Sequence, residues 1–199
     1  MGSDANRLRR KWQDYSGENA GVAEMNFLET FKELFKDTEY QIRPKPTEFQ
    51  SIYVDVELNP KELSEIYSPE KPITKHGVSP DFAIDNTETG KTIYVELKRQ
   101  DGWVEGKKRS DGRGNAHERL GKYFTPGLQR ILREKSKISN DVLPFWVVFQ
   151  GDITRDPCRV REITCCFSEF TAHYFFWRNT KDKLPLVNHF LEKIQPLLH

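Results

Sequence analysis

Cysteine is scarce in this 199-residue chain, and long apolar runs are absent from it. The odd set Cys158, Cys165 and Cys166 has no histidines at zinc-ligand spacing, which argues against a disulfide framework or zinc site. We therefore expect buried thiols and a reducing cytoplasm. No run approaches the ~20 apolar residues that cross a bilayer, and residues 1–4 begin a polar segment without a signal core, so membrane insertion and export are not expected.

Two common catalytic signatures are also missing. The chain has no glycine-rich phosphate loop that ends in Lys-Ser or Lys-Thr, and no Ser/His/Asp order that could be assigned to a triad. The chain contains 36% hydrophobic residues, enough to build a core, while 31% charged residues and a mean hydropathy of -0.74 indicate a polar surface. We expect one domain over residues 1–199, with residues 1–20 as an N-terminal arm that is either ordered or loose.

The net charge of +1 conceals an uneven distribution along the chain. Between Lys98 and Lys135 there are eleven basic and five acidic residues, so this segment carries +6 and the remainder carries -5. Such a chain can present one basic surface to phosphates while the rest of its surface repels them. A solvated charged face with no partner is the alternative.

Hydrophobic spacing predicts an α/β domain with a central mixed sheet flanked by helices. An apolar stripe at Val22, Met25, Leu28, Phe31, Leu34 and Phe35 predicts a first helix packed on the core. The further predicted elements are a strand over 52–58, a short helix over 60–67, a hairpin of strands 82–84 and 92–98, a helical region after residue 115, strands over 145–149 and 160–167, and a closing helix over 184–198.

The predicted hairpin places acidic and basic side chains together. Asp81 begins one strand and Glu96 lies near the end of the antiparallel neighbour, while strand alternation puts Glu96 and Lys98 on one face. Two carboxylates beside a substrate phosphate are sufficient ligands for Mg²⁺, and a lysine can orient the attacking water or offset phosphate charge. The alternative is an ordinary polar sheet face, where such short patterns are common.

A second candidate site is the segment of residues 113–119, here called the reading segment. Arginine can bind guanine O6 and N7, asparagine can bind adenine N6 and N7, and alanine admits the thymine methyl group. Arg113, Asn115, Ala116 and Arg119 supply this chemistry. A glycine-rich loop with an asparagine helix cap is the alternative, and His117 is expected to be an ordinary helix residue.

These residues carry a specific family resemblance. Pro80-Asp81 followed by Glu96-Leu97-Lys98 resembles the signature of the PD-(D/E)xK nucleases, and Gly114-Asn115-Ala116-His117-Glu118-Arg119 is similar to the segment with which EcoRI-like restriction endonucleases read an inner AATT. Longer runs, over 77–81, 98–106, 143–149 and 151–157, match members of that branch that cut CAATTG. The resemblance covers roughly residues 20–180 and is dense over 77–164.

The resemblance implies a restriction-endonuclease-like fold and a role for each matched position. Asp81 and Glu96 would bind Mg²⁺, for which Mn²⁺ could substitute, and Lys98 would be the catalytic lysine. Asn115, Ala116 and Arg119 would read the inner AATT, with Gly114, His117 and Glu118 in the accompanying network, and Arg113 would read the outer C·G pair. Glu24 is a candidate supporting acid, because some superfamily members place a carboxylate on the first helix, although its position favours an ordinary exposed helix residue.

The implied activity is that of a type II restriction endonuclease. It would cut double-stranded DNA at CAATTG between C and A on each strand, leaving 5′-AATT overhangs. A palindromic target favours a twofold homodimer, with one subunit on each half-site, and a DNA methyltransferase would protect the host. Two alternatives are a repair or junction-resolving nuclease that reads DNA shape, and a DNA-binding regulator whose acidic pair is structural.

Overall fold

A five-stranded mixed sheet forms the centre of the molecule. The computed structural model describes residues 21–101 and 117–199. The strands lie in the order β1 (Tyr40–Pro44), β2 (Phe82–Asn86), β3 (Thr92–Arg99), β4 (Phe145–Gln150) and β5 (Tyr174–Trp177). The first three strands pair antiparallel, whereas β3, β4 and β5 pair parallel. This arrangement agrees with the predicted α/β class and mixed sheet.

Helices cover both faces of this sheet. The α-helical segments are α1 (residues 21–34), α2 (Pro60–Glu65), α3 (Pro126–Ser136), α4 (Pro157–Cys166) and α5 (Leu184–His189). A π-helical turn over Phe190–Ile194 and a 3₁₀ turn over Gln195–Leu198 continue α5, so the predicted closing helix is confirmed. Shorter 3₁₀ helices span Glu118–Phe124, Asp152–Thr154 and Thr171–His173.

Strand alternation divides the core into two layers. Ile93, Val95 and Leu97 of β3 pack with α1 and the C-terminal helical segment, whereas Tyr94 packs with α3 and α4 on the opposite face. Every residue of β4 is buried, as expected for a continuously apolar strand in the middle of a parallel region. The β2–β3 hairpin, which positions both candidate carboxylates, is confirmed with Phe82 opposite Val95.

The apolar stripe predicted for α1 is partly wrong. Phe31 and Phe35 are buried, but Val22 and Met25 are 57% and 60% exposed. The buried face consists instead of Ala23, Phe27, Thr30 and Phe31, and Phe35 is buried directly after the helix ends. The rings of Phe27 and Phe31 contact Phe82 and Trp146, so the helix is rotated to place its aromatic side chains on the sheet.

The strand predicted over residues 52–58 is absent, because these residues form turns and an exposed segment. Val56 and Leu58 are exposed, and Tyr53 N donates to His76 O within a loop rather than to a strand. The edge of the sheet is occupied by β1, which pairs with β2. An alternating pattern therefore did not suffice, since a strand also needs a neighbour for its backbone hydrogen bonds. The short helix predicted from Pro60 is confirmed as α2, with a capping box between Asn59 and Glu62.

The strand predicted over residues 160–167 is also wrong, because residues 160–166 lie within the helix α4 and Phe167 is its C-cap. Asp156 accepts hydrogen bonds from the backbone N–H groups of Cys158 and Arg159, and Pro157 occupies the first helical turn. This Asp-Pro pair is a helix start signal that overrides the local β-branched composition. The expected burial of the cysteines is wrong as well, since Cys158, Cys165 and Cys166 are all exposed.

Membrane insertion was not expected from the sequence. Within residues 21–101 and 117–199, no helix combines the length and the apolar character needed to span a bilayer.

Candidate active site

Asp81 is held in place at the start of β2 by the chain that leads into it. The preceding Gly77 lies against the backbone of Phe49, where an added Cβ would approach Phe49 O to 1.9 Å, so a larger residue could not take this path. The backbone N–H of Lys45 donates to Asp81 O at 2.9 Å. These contacts tie the Ser79-Pro80-Asp81 turn to the segment that follows β1.

Glu96 and Lys98 lie on one face of β3, as strand alternation predicted. Glu96 is buried, with 5% exposure, and faces the layer that contains Tyr123. Lys98 Nζ donates to Glu96 Oε2 and contacts Leu97 O at 3.5 Å. The hairpin register brings Asp81 alongside this pair, since the backbone N–H of Leu97 donates to Asp81 Oδ2 at 2.8 Å.

The four carboxylate oxygens of Asp81 and Glu96 have a regular pattern of partners. One oxygen of each carboxylate accepts from a neutral donor: Asp81 Oδ2 from Leu97 N–H, and Glu96 Oε1 from the Tyr123 hydroxyl. The other oxygen of each accepts from an ammonium: Asp81 Oδ1 from Lys45 at 2.7 Å, and Glu96 Oε2 from Lys98. The neutral donors orient the carboxylates, whereas the ammonium groups compensate their charge.

Burial shifts the ionisation of this cluster. Burial raises the pKa of Glu96 and outweighs the lowering by Lys98, while the nearby Asp81 carboxylate raises it further. Burial also raises the pKa of the Tyr123 phenol well above its usual range, and Glu96 adds to this effect. The phenol therefore keeps its proton and acts as a donor to Glu96.

Lys45 was not identified as a site residue from the sequence. Its Nζ contacts Asp81 at 2.7 Å and the Glu24 carboxylate at 3.1 Å, so it joins the candidate supporting acid to the site. Burial lowers the pKa of Lys45, but the hydrogen bonds and charges of Asp81 and Glu24 more than offset this, and the net pKa is raised. Its only sequence signal was its position after Pro44, at the end of a strand that had not been predicted. Tyr123 was missed for a similar reason, because its partner is distant in the sequence.

The donor set fits a divalent metal ion. Asp81 and Glu96 offer hard oxygen ligands, and one oxygen of each already attracts a positive charge. In the part of the chain that the structure describes, no group of three or more His, Cys, Asp or Glu side chains suited to a metal is found. Two carboxylates agree with a cation that takes its remaining ligands from water and substrate phosphate, as Mg²⁺ usually does.

The reading segment lies only partly within the described residues. Arg113, Gly114, Asn115 and Ala116 fall outside them. Glu118 and Arg119 are exposed at the start of the 3₁₀ helix Glu118–Phe124. His117 Nε2 contacts Glu162 of α4 at 2.8 Å, and Glu162 also accepts from Arg159, whose hydrogen bond lowers the pKa of Glu162. His117 thus attaches the end of the segment to α4.

A mixed sheet whose antiparallel hairpin brings Asp81, Glu96 and Lys98 together, with basic residues nearby, defines a nuclease of the restriction-endonuclease-like fold. Comparison with known proteins supports this class. The family described as type II restriction enzyme MunI matches residues 1–199. The type II restriction enzyme MunI of Mycoplasma sp is 47% identical over 201 aligned positions, which cover 100% of both chains.

A solved structure agrees with these sequence matches. The crystal structure of MunI restriction endonuclease in complex with cognate DNA aligns with a TM-score of 0.81 and 48% identity, covering 94% of this chain and 97% of that one. The chain therefore belongs to the MunI family of type II restriction enzymes, and the family predicted from the sequence motifs is confirmed. It is a sequence-specific endonuclease, and membership of this family implies use of a divalent metal ion.

Proposed function

We propose that this chain is a Mg²⁺-dependent restriction endonuclease that cuts double-stranded DNA at CAATTG, between C and A on each strand. The observation that carries this proposal is the convergence of Asp81, Glu96 and Lys98 at the end of the β2–β3 hairpin. The reading segment supports the proposal from the sequence. The structure of MunI restriction endonuclease, at 48% identity, was solved in complex with cognate DNA.

In this proposal, Asp81 and Glu96 hold the metal ion and Lys98 is the catalytic lysine. A bound Mg²⁺ would supply positive charge to the phosphate oxygens and to the attacking water. Leu97 N–H and the Tyr123 hydroxyl keep the carboxylates in orientation, because each donates to one oxygen and leaves the other directed at a cation. Lys98, with 18% of its side chain exposed, is placed to orient the water or to offset the phosphate charge. Hydrolysis breaks the bond from phosphorus to O3′ and leaves a 5′-phosphate.

The proposed base contacts lie in the reading segment. Asn115, Ala116 and Arg119 read the inner AATT, Arg113 reads the outer C·G pair, and Gly114, His117 and Glu118 belong to the surrounding network. Arginine and asparagine make the bidentate contacts that distinguish guanine and adenine in the major groove. The contact from His117 to Glu162 supports a positioning role for His117 rather than direct base contact.

The palindromic target also implies assembly. We propose that residues 1–199 form one nuclease domain, that two chains form a twofold homodimer with one active site on each strand, and that a DNA methyltransferase protects the same sequence in the host. Glu24 takes a supporting part through Lys45 rather than by approaching Asp81 directly.

Digestion of a sequenced plasmid with Mg²⁺, followed by mapping of the ends, tests this function, its specificity and the overhang together. We expect discrete fragments that begin with 5′-AATT at every CAATTG and no cleavage in EDTA. Cleavage in Mn²⁺ would agree with a site of two hard oxygen ligands. Random degradation, or ends that map to another sequence, would contradict the proposal.

A further inference from the structure

Tyr123 connects the metal-binding carboxylates with the helix that begins inside the reading segment. Its hydroxyl donates to Glu96 Oε1, and the residue is only 1% exposed. Its ring packs against Phe145 at a centroid distance of 5.3 Å, and its backbone carbonyl accepts from Gln129 Nε2 at 2.7 Å. The hydroxyl is therefore held at Glu96 by contacts from both β4 and α3.

The geometry of the 3₁₀ helix Glu118–Phe124 links Tyr123 to the exposed base-reading positions. A 3₁₀ helix has three residues per turn, so residues at spacing three share a face. Leu120 and Tyr123 are buried on one face, whereas Glu118 and Arg119 are exposed. A displacement of this short helix when Arg119 binds a base would also move the Tyr123 hydroxyl relative to Glu96.

We propose that Tyr123 is a positioning residue that couples base reading at Arg119 to the orientation of the Glu96 carboxylate. This inference rests on the proposed function and adds to it a route by which the correct sequence prepares the metal site. On the cognate sequence the 3₁₀ helix Glu118–Phe124 keeps its packed position, and Glu96 Oε2 points toward the cation. On an incorrect sequence the helix is displaced, Glu96 loses its donor, and the metal ion is bound more weakly.

Coupling between metal binding and DNA binding is reciprocal, so it can be measured without cleavage. If cognate DNA strengthens metal binding, the metal strengthens cognate DNA binding by the same factor. Ca²⁺ also binds oxygen ligands and serves as the probe, with the DNA checked on a gel to be intact. We expect Ca²⁺ to strengthen binding of the wild-type chain to a CAATTG duplex, and we expect this strengthening to be about tenfold smaller in Tyr123→Phe.

Tyr40→Phe is a matched control. Tyr40 is 7% exposed, and its hydroxyl contacts His199 Nε2 at 2.8 Å, at the C-terminal end of the chain. This substitution removes the hydroxyl of another largely buried tyrosine, away from the carboxylates, so it should leave the Ca²⁺ effect unchanged. The preference for cleaving CAATTG over a site with one changed base, measured with Mg²⁺, should fall in Tyr123→Phe and not in Tyr40→Phe.

A double-mutant cycle tests whether Tyr123 acts through Glu96. In a Glu96→Ala background, Tyr123→Phe should cause no further loss of the Ca²⁺ effect. If Tyr123→Phe fails to fold in a thermal melt, Gln129→Leu replaces it, because this change releases the Tyr123 backbone and keeps the hydroxyl. An unchanged Ca²⁺ effect in the folded variant, or an equal loss in the Glu96→Ala background, would overturn the coupling. Failure of the wild-type chain to cut CAATTG in the plasmid digest would instead overturn the proposed function.

Discussion

Asp81 has the contacts expected of a carboxylate that binds metal. It accepts from Leu97 N–H and Lys45 and lies on the edge of the site, with 15% of its side chain exposed. We predict that Asp81→Ala abolishes cleavage and preserves or strengthens binding to CAATTG, because it removes a negative charge from the path of the phosphate. Gel-shift and cleavage assays measure the two effects separately.

The control for this change is Asp141→Ala, at an exposed carboxylate that contacts Ser139. It should cut and bind like the wild-type chain. Cleavage by Asp81→Ala at the wild-type rate would refute the role of Asp81.

Lys45 shares Asp81 with any cation that binds there. Because its ammonium contacts both Asp81 and Glu24, Lys45→Met should leave two uncompensated carboxylates and strengthen divalent-cation binding. Lys45 is half exposed, so we expect a modest change of about two- to fivefold in the Ca²⁺ affinity measured by calorimetry. Lys183→Met, which removes the 3.9 Å contact with Glu33, is the control. Weaker Ca²⁺ binding in Lys45→Met would show that the lysine supports the metal site rather than competing for it.

Arg113 is the position on which discrimination of the outer base pair depends in the proposed function. We predict that Arg113→Ala loses about 1 to 3 kcal/mol of preference for CAATTG over AAATTT, because it removes a bidentate contact to guanine. Competition binding with the two duplexes measures this preference. A preference as strong as that of the wild-type chain would assign the outer pair to another residue.

At the scale of elements, β4 is anchored by a buried histidine. His173 Nδ1 lies 2.9 Å from Phe145 O, and Leu143 N–H donates to Nε2 at 3.3 Å, which requires the neutral ring with its proton on Nδ1. Burial lowers the pKa of His173 to about 4. The start of the central strand therefore depends on an uncharged imidazole.

This arrangement predicts a loss of stability in weak acid. The unfolded chain takes up a proton on this ring near pH 6.5, whereas the native state resists it until about pH 4, so unfolding is favoured as pH falls through that interval. We expect this histidine to lower the free energy of unfolding by about 2 kcal/mol between pH 7 and pH 5. Urea titrations at pH 7 and pH 5 would show this loss as a steeper fall in the free energy of unfolding for the wild-type chain than for His173→Gln. Equal pH dependence in the two proteins would contradict the prediction.

Some elements could be predicted from the local sequence pattern alone. The β2–β3 hairpin and β4 were predicted because turn residues, alternation and a fully apolar run are local signals. The strands β1 and β5 were missed, and two other segments were assigned as strands in their place. Strand pairing is decided by which segments can reach the sheet edges, and for α4 the cap at Asp156 outweighed the local β-branched composition.

At the scale of the whole molecule, the proposed function requires two chains. A palindrome presents the same half-site twice, so we predict a particle with twice the 23.4 kDa mass of the chain when free, and that mass plus one CAATTG duplex when bound to DNA. Light scattering coupled to size exclusion measures both masses. A single chain bound to each duplex, with both strands cut, would exclude the dimer.

The sequence by itself determined the family and the α/β class, and it predicted that Asp81, Glu96 and Lys98 would lie together. These are contained in one hairpin, where a short turn and strand alternation dictate which side chains meet. The tertiary structure alone decided the partners that complete the site. Lys45 lies 36 positions before Asp81, and Tyr123 lies 27 positions after Glu96, so neither contact has a local pattern that reveals it. Both contacts depend on how β1 and the 3₁₀ helix Glu118–Phe124 pack around the hairpin. Tertiary packing, rather than sequence spacing, brings these groups within hydrogen-bonding distance.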